Sequence, residues 1–157
     1  MEVYKSKMLP TLEGDDVLGI EQTSRRKGRQ TVVLSSDKDL RTVPGLYVDM
    51  KDPELELQQI TELEADRWWM TQALTGDRTD GYKGCPGIGL KTAVSLLEDA
   101  ESLETLWVRV LAAYASKGLT LEDAVQQARV ARILRRGDYV AKTERVRLWS
   151  PPKKMRV

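Results

Sequence analysis

The chain has 157 residues, 25 Lys and Arg against 24 Asp and Glu, one cysteine and no histidine; it is long enough for one cored domain, and its net charge of +1 conceals local patches of both signs. The lack of histidine removes Ser-His-Asp and Cys-His catalysis, and the lone thiol, Cys85, excludes an internal disulfide and a zinc site. No opening stretch reads as a signal peptide and no apolar run reaches membrane-spanning length, so a cytoplasmic protein is expected, with carboxylates and metals left as the tools of any catalysis.

A short lead-in containing Tyr4, Lys5, Lys7 and Pro10 precedes a helix predicted from Asp15 to about Gln22 by Val17, Leu18 and Ile20, which ends in the basic turn Arg25, Arg26, Lys27 and Arg29. "TVVLSS" (31–36) is a short β-branched run of the kind found in a buried parallel strand, and "DKDL" follows at its C-terminal end, the edge where open α/β sheets bind ligands. "GLYVDM" (45–50) predicts a second strand, and residues 57–74 read as one helix stopping at Gly76, with Trp68 and Trp69 as packing residues or, alternatively, a base-stacking platform.

Three further helices are predicted at about 89–98, 102–116 and 121–136, the last stopped by Gly137 and carrying Arg129, Arg132, Arg135 and Arg136 either as a binding surface or as a solvated face. "RVRLW" (145–149) predicts an edge strand before a basic tail. The pattern is α/β first and helical afterwards.

Acidic residues gather at three places: Glu13, Asp15 and Asp16 in "EGDD"; Asp37 and Asp39 in "SSDKD"; Asp77 and Asp80 in "GDRTD". Taken singly, each is also what helix capping or an Asx turn requires. Brought together, seven carboxylates would repel one another unless cations held them. An oxygen-only donor set favours two Mg²⁺ or Mn²⁺ ions, which at about 4 Å separation serve phosphodiester hydrolysis.

"GCPGIG" (84–89) followed by "LKTAVSLL" has the form of a helix-hairpin-helix. Gly84, Gly87 and Gly89 let the backbone approach a phosphate closely, Lys83 and Lys91 flank it as cations, and Thr92 lies in the first turn of the following helix. A glycine-rich helix cap is the alternative. Such a hairpin grips a nucleic-acid backbone without reading bases.

"LEGDDVLGI", "VVLSSDKDL", "GDRTDGYKGCPGIGLKTA" and "QQARVARIL", in this order, resemble the 5′ nuclease superfamily of flap endonucleases and bacterial and phage 5′-3′ exonucleases, most closely the phage branch, over residues 8–149. The resemblance implies a parallel-sheet, metal-dependent nuclease core in residues 1–75 and a helix-three-turn-helix DNA-binding region in 76–157. It assigns the seven carboxylates to two divalent metals and to catalysis, places a potassium ion against Gly84, Cys85 and Ile88, and implies a DNA duplex with a 5′ end, overhang or flap as substrate in a bacterial or phage-infected cell.

Family members carry a first strand with an aspartate, a second aspartate and a helical arch ahead of the Glu-x-Asp-Asp motif; here twelve residues precede it. The expectations are therefore a compact nuclease working with seven carboxylates, the C-terminal part of a split nuclease completed by a second polypeptide or a second copy, or a DNA-binding module that does not cut.

Overall fold

The structure is a computed structural model that describes residues 5–24, 30–152 and 155. The predicted basic turn (Arg25, Arg26, Lys27, Arg29), Tyr4 and most of the basic tail lie outside the described residues. Helix α1 (Gly14–Thr23) is followed by strand β1 (Val32–Ser35), a 3-10 turn (Lys38–Thr42), β2 (Gly45–Asp49) and β3 (Leu57–Ile60). Helices α2 (Glu62–Thr75), α3 (Leu90–Leu97), α4 (Leu103–Ala115) and α5 (Leu121–Val130) come next, and a two-residue hairpin, β4 (Tyr139–Val140) with β5 (Arg145–Val146), follows them.

The sheet is mixed. β1 and β2 are parallel, with Ser35 opposite Asp49, but of β1, expected as a buried strand, only Val33 is buried, because the strand lies at the sheet edge; β3 runs antiparallel to β2, with Ile60 opposite Gly45. The helix predicted over 57–74 therefore begins only at Glu62. Residues 57–60 pair with β2 as an edge strand, and Thr61 starts the helix with a capping box in which its hydroxyl accepts from the Glu64 amide while the Glu64 carboxylate accepts from the Thr61 amide.

The helix predicted to reach 136 also stops early, at Val130, because tertiary bonds replace helical ones. Leu134 N donates to Asp16 Oδ1 (3.0 Å), Arg136 N to Thr23 Oγ1 (2.7 Å), and the Arg135 guanidinium to Thr42 O (2.7 Å). Gly19 makes room for this segment: a β-carbon there would meet Leu134 O at 2.4 Å. Arg135 is not part of a surface but pairs with buried Asp66 (2.7 Å), and Arg132 lies over the Trp69 ring (4.5 Å) while pairing with Asp138.

Two apolar clusters result. The larger joins α2 to α3, α4 and α5 through Trp69, Leu74, Leu97, Trp107 and Tyr114, with Trp149 edge-on against both Trp69 and Trp107 (4.9 Å each). Trp149 is thus core packing, and only Arg145–Val146 of the predicted edge strand pairs. The smaller cluster, Val33, Leu40, Val43, Tyr47, Ile60 and Ala65, holds one face of the sheet to α2. The opposite face carries the cross-strand row Leu34, Val48 and Leu57, of which Leu34 and Leu57 are 58% and 56% exposed. No helix among the described residues is long and apolar enough to cross a membrane.

Candidate metal centre and nucleic-acid interface

The three acidic segments converge. Glu13, Asp15 and Asp16 enter from the start of α1, Asp37 and Asp39 from the turn after β1, and Asp80 from the loop after α2; all six line one cleft of about 370 Å³ together with Gln72 and Tyr82. Asp77 joins beside it, since Asp39, Asp77 and Asp80 can each present one oxygen within 4.8 Å of the others.

Local roles coexist with this convergence. Glu13 stands at the N-cap of α1 but makes no side-chain capping bond. Asp37 Oδ1 accepts from Asp39 N (2.9 Å), which leaves its second oxygen, and Asp77 Oδ1 accepts from Thr79 N (2.8 Å), which leaves Oδ2 to face Lys38 Nζ (2.9 Å). The capping and Asx-turn readings therefore hold for Asp37 and Asp77 without consuming either group.

The electrostatics follow from the packing. Burial first, then the facing carboxylates of Asp37, Asp16, Glu13 and Asp39, push Asp15 above its ordinary range. Burial likewise raises Asp16, opposed by the Leu134 amide and reinforced by Glu13, and it raises Asp39 against the pull of Lys38. Asp77 goes the other way, held down chiefly by the hydrogen bond from Lys38 Nζ (2.9 Å).

Two residues here were not assigned from the sequence. Gln72 is only 5% exposed; its Nε2 donates to Asp39 Oδ1 while its Oε1 is buried without a partner. Lys38, the middle residue of "DKD", bridges Asp39 (3.2 Å) and Asp77. The motif displayed Lys38, whereas Gln72 sits inside a helical pattern and gave no signal. A hard divalent cation fits this donor set, which is all oxygen and includes an orphaned amide oxygen beside Asp39.

The hairpin adjoins the acids. Asp77 N donates to Tyr82 O and Tyr82 N to Asp77 O (3.0 Å each), closing the loop that holds Asp80. Gly84 and Gly87 adopt left-handed backbone (φ 65° and 75°), while Gly89 is extended and caps α3. A second cavity of about 660 Å³ is lined by Asp77, Lys83, Cys85, Gly87, Ile88 and Gly89, and Tyr82 forms a wall common to it and the acidic cleft.

Lys83, Lys91 and Thr92 are exposed beside the hairpin. Ile88 N donates to Cys85 O (3.2 Å), closing a turn that holds two of the three sequence-predicted potassium residues, and Gly84, just before it, donates its amide to Gln127 Oε1 (2.8 Å). Burial pushes the Cys85 thiol up, so it is no activated nucleophile.

A model of the family described as 5′-3′ exonuclease, C-terminal SAM fold, matches residues 63–144. The chain is 34% identical to the exonuclease of Escherichia phage T7 and 32% identical to the exodeoxyribonuclease of Enterobacteria phage T3, in each case over 90% of its own length. It is also 36% identical to the thermostable DNA polymerase I of Thermus aquaticus over 62% of its length, which is 13% of that polymerase. The chain spans 57% and 56% of the two phage relatives. The order of its motifs, the convergence of their carboxylates and the match through the hairpin agree: the chain belongs to the 5′-3′ exonuclease family of the 5′ nuclease superfamily.

Proposed function

We propose that this chain is a divalent-metal-dependent 5′ nuclease, hydrolysing DNA phosphodiester bonds at 5′ ends, overhangs or flaps in a bacterial or phage-infected cytoplasm. The observation that carries the reading is the contact between the acidic cleft and the hairpin cavity through Tyr82 and the Asp77–Tyr82 bridge. A duplex held by the hairpin would sit at a fixed distance from the carboxylates.

In this reading residues 1–75 are the nuclease core and 76–157 the DNA-binding region. Glu13, Asp15, Asp16 and Asp37 hold one Mg²⁺ or Mn²⁺, and Asp39, Asp77 and Asp80 hold a second directly or through water. Two such ions, when bound, would supply an activated water and charge to neutralise the leaving oxygen. The chain's own residues do the rest. Lys83, Lys91, Thr92 and the amides of Gly87 and Gly89 bind the duplex backbone, and the carbonyls of Gly84, Cys85 and Ile88 hold K⁺.

Leu34 and Leu57, exposed on either side of buried Val48, support a second reading, in which further polypeptide, a second copy of this chain or a non-identical partner, covers the sheet and completes the enzyme. Cleavage of 5′-overhang and flapped duplexes with Mg²⁺ or Mn²⁺ tests both, comparing the intact chain with Asp37→Asn and Asp77→Asn. Cleavage by the intact chain alone, lost in both variants, is expected for a self-sufficient nuclease. Cleavage that requires a second polypeptide supports completion, and duplex binding without cleavage under any condition would make the chain a binding module.

A further inference from the structure

The ammonium of Lys38 lies between Asp39 and Asp77, two of the three carboxylates of the Asp39, Asp77 and Asp80 group. Its Nζ lies 3.2 Å from Asp39 Oδ1 and 2.9 Å from Asp77 Oδ2, joining two carboxylates that come from separate segments and would otherwise repel. Its root is fixed: Lys38 O accepts from Trp68 Nε1 (3.1 Å), and the adjoining turn is pinned by the bond from Asp39 N to Asp37.

Its stem is not fixed in the same way. The side chain is 59% exposed and also borders a neighbouring cavity of about 380 Å³, lined by Arg41, Gln58, Glu64 and Trp68, which gives the ammonium somewhere to withdraw. A monovalent cation on a fixed root and a flexible stem, placed between two carboxylates, competes directly with any divalent ion for the same oxygens.

We propose that Lys38 is a tethered counter-ion, a positioning residue that holds Asp39 and Asp77 together until a divalent cation displaces it and that thereby sets how tightly this half of the centre takes its ion. The inference rests on the metal-binding reading above. Its consequence is opposite to that of an ordinary supporting residue, because removing the charge should improve ion binding.

Mn²⁺ binding to the full chain, followed by electron paramagnetic resonance without DNA, tests it. Lys38→Met should bind Mn²⁺ about tenfold more tightly at one site, the size expected for losing a partly solvated competing charge. Lys38→Arg keeps the charge and should stay near the intact chain. Unchanged or weaker affinity in Lys38→Met, with Mn²⁺ bound by the intact chain, overturns the counter-ion role and leaves the metal centre standing; so does an equal gain in Lys38→Arg. No Mn²⁺ on any of the three removes the metal reading itself, and this inference with it.

Discussion

Gly76 and Gly84 lie backbone to backbone: a β-carbon on Gly84 would come within 2.3 Å of Gly76 N, and one on Gly76 within 2.6 Å of Gly84 N. Both have left-handed φ (68° and 65°), so only glycine fits on two counts. This contact joins the acidic loop to the hairpin. Gly84→Ala should lower stability by about 2 kcal/mol or more and weaken duplex binding together with it. At Gly87, where φ is 75° and a β-carbon would meet only Lys117 Nζ at an ordinary 3.9 Å, alanine should cost only the backbone strain, about 1 kcal/mol. Thermal unfolding and a duplex titration on both variants check the contrast.

Metal binding should stabilise the fold, because the acidic centre exists only when α1, the turn after β1 and the loop after α2 are assembled. At about one hundred times its dissociation constant, Mn²⁺ should add about 3 kcal/mol to the unfolding free energy. EDTA should reverse the gain. Asp37→Asn and Asp77→Asn should fold in EDTA and show a smaller rise with Mn²⁺, as read from denaturant midpoints.

The pH dependence of the metal-free chain has a definite sign. Asp15, Asp16 and Asp39 are raised above the unfolded value of 3.8, mainly by burial. Between that value and their folded values the folded state holds more protons, so stability falls as pH rises through this window. The capping carboxylate Glu64 is lowered, and its contribution is lost only as pH falls below the unfolded range of 4.5. Denaturation in EDTA should therefore show stability declining as pH rises above 3.8 through the titration of these three groups. Asp15→Asn should flatten part of that decline.

Arg135 and Asp66 form a buried pair at 2.7 Å, tying the segment after α5 to α2. Removing one partner strands the other charge. Arg135→Met should cost about 3 to 5 kcal/mol, measurable by urea denaturation, and should exceed the effect of Arg136→Met on the exposed neighbour.

Backbone binding by the hairpin predicts a salt signature. Lys83→Ala and Lys91→Ala should each weaken duplex binding across sequences and reduce the slope of log affinity against log salt by about 1. Fluorescence anisotropy at several salt concentrations reads this directly.

Elements with short-range causes were legible in the sequence: β1 from its β-branched run, β2 as a second short strand, α3 and α4 as helical stretches, and the hairpin from glycines that must turn. The sequence also supplied the acids, since no other residue type in a chain without histidine offers the same chemistry. Thr61 and Glu64 were legible too, as a capping box that would have placed the start of α2 correctly. That residues 57–60 form a strand was settled by pairing with β2, because a short run takes whichever partner completes its hydrogen bonds. The tertiary structure likewise ended α5 at Val130, where bonds from Leu134, Arg135 and Arg136 to α1 and the sheet region outweigh helical continuation. Gln72 and Lys38 entered the acidic centre for the same reason: a side chain's chemistry is written locally, but the charge it faces is set by residues about 30 to 40 positions away.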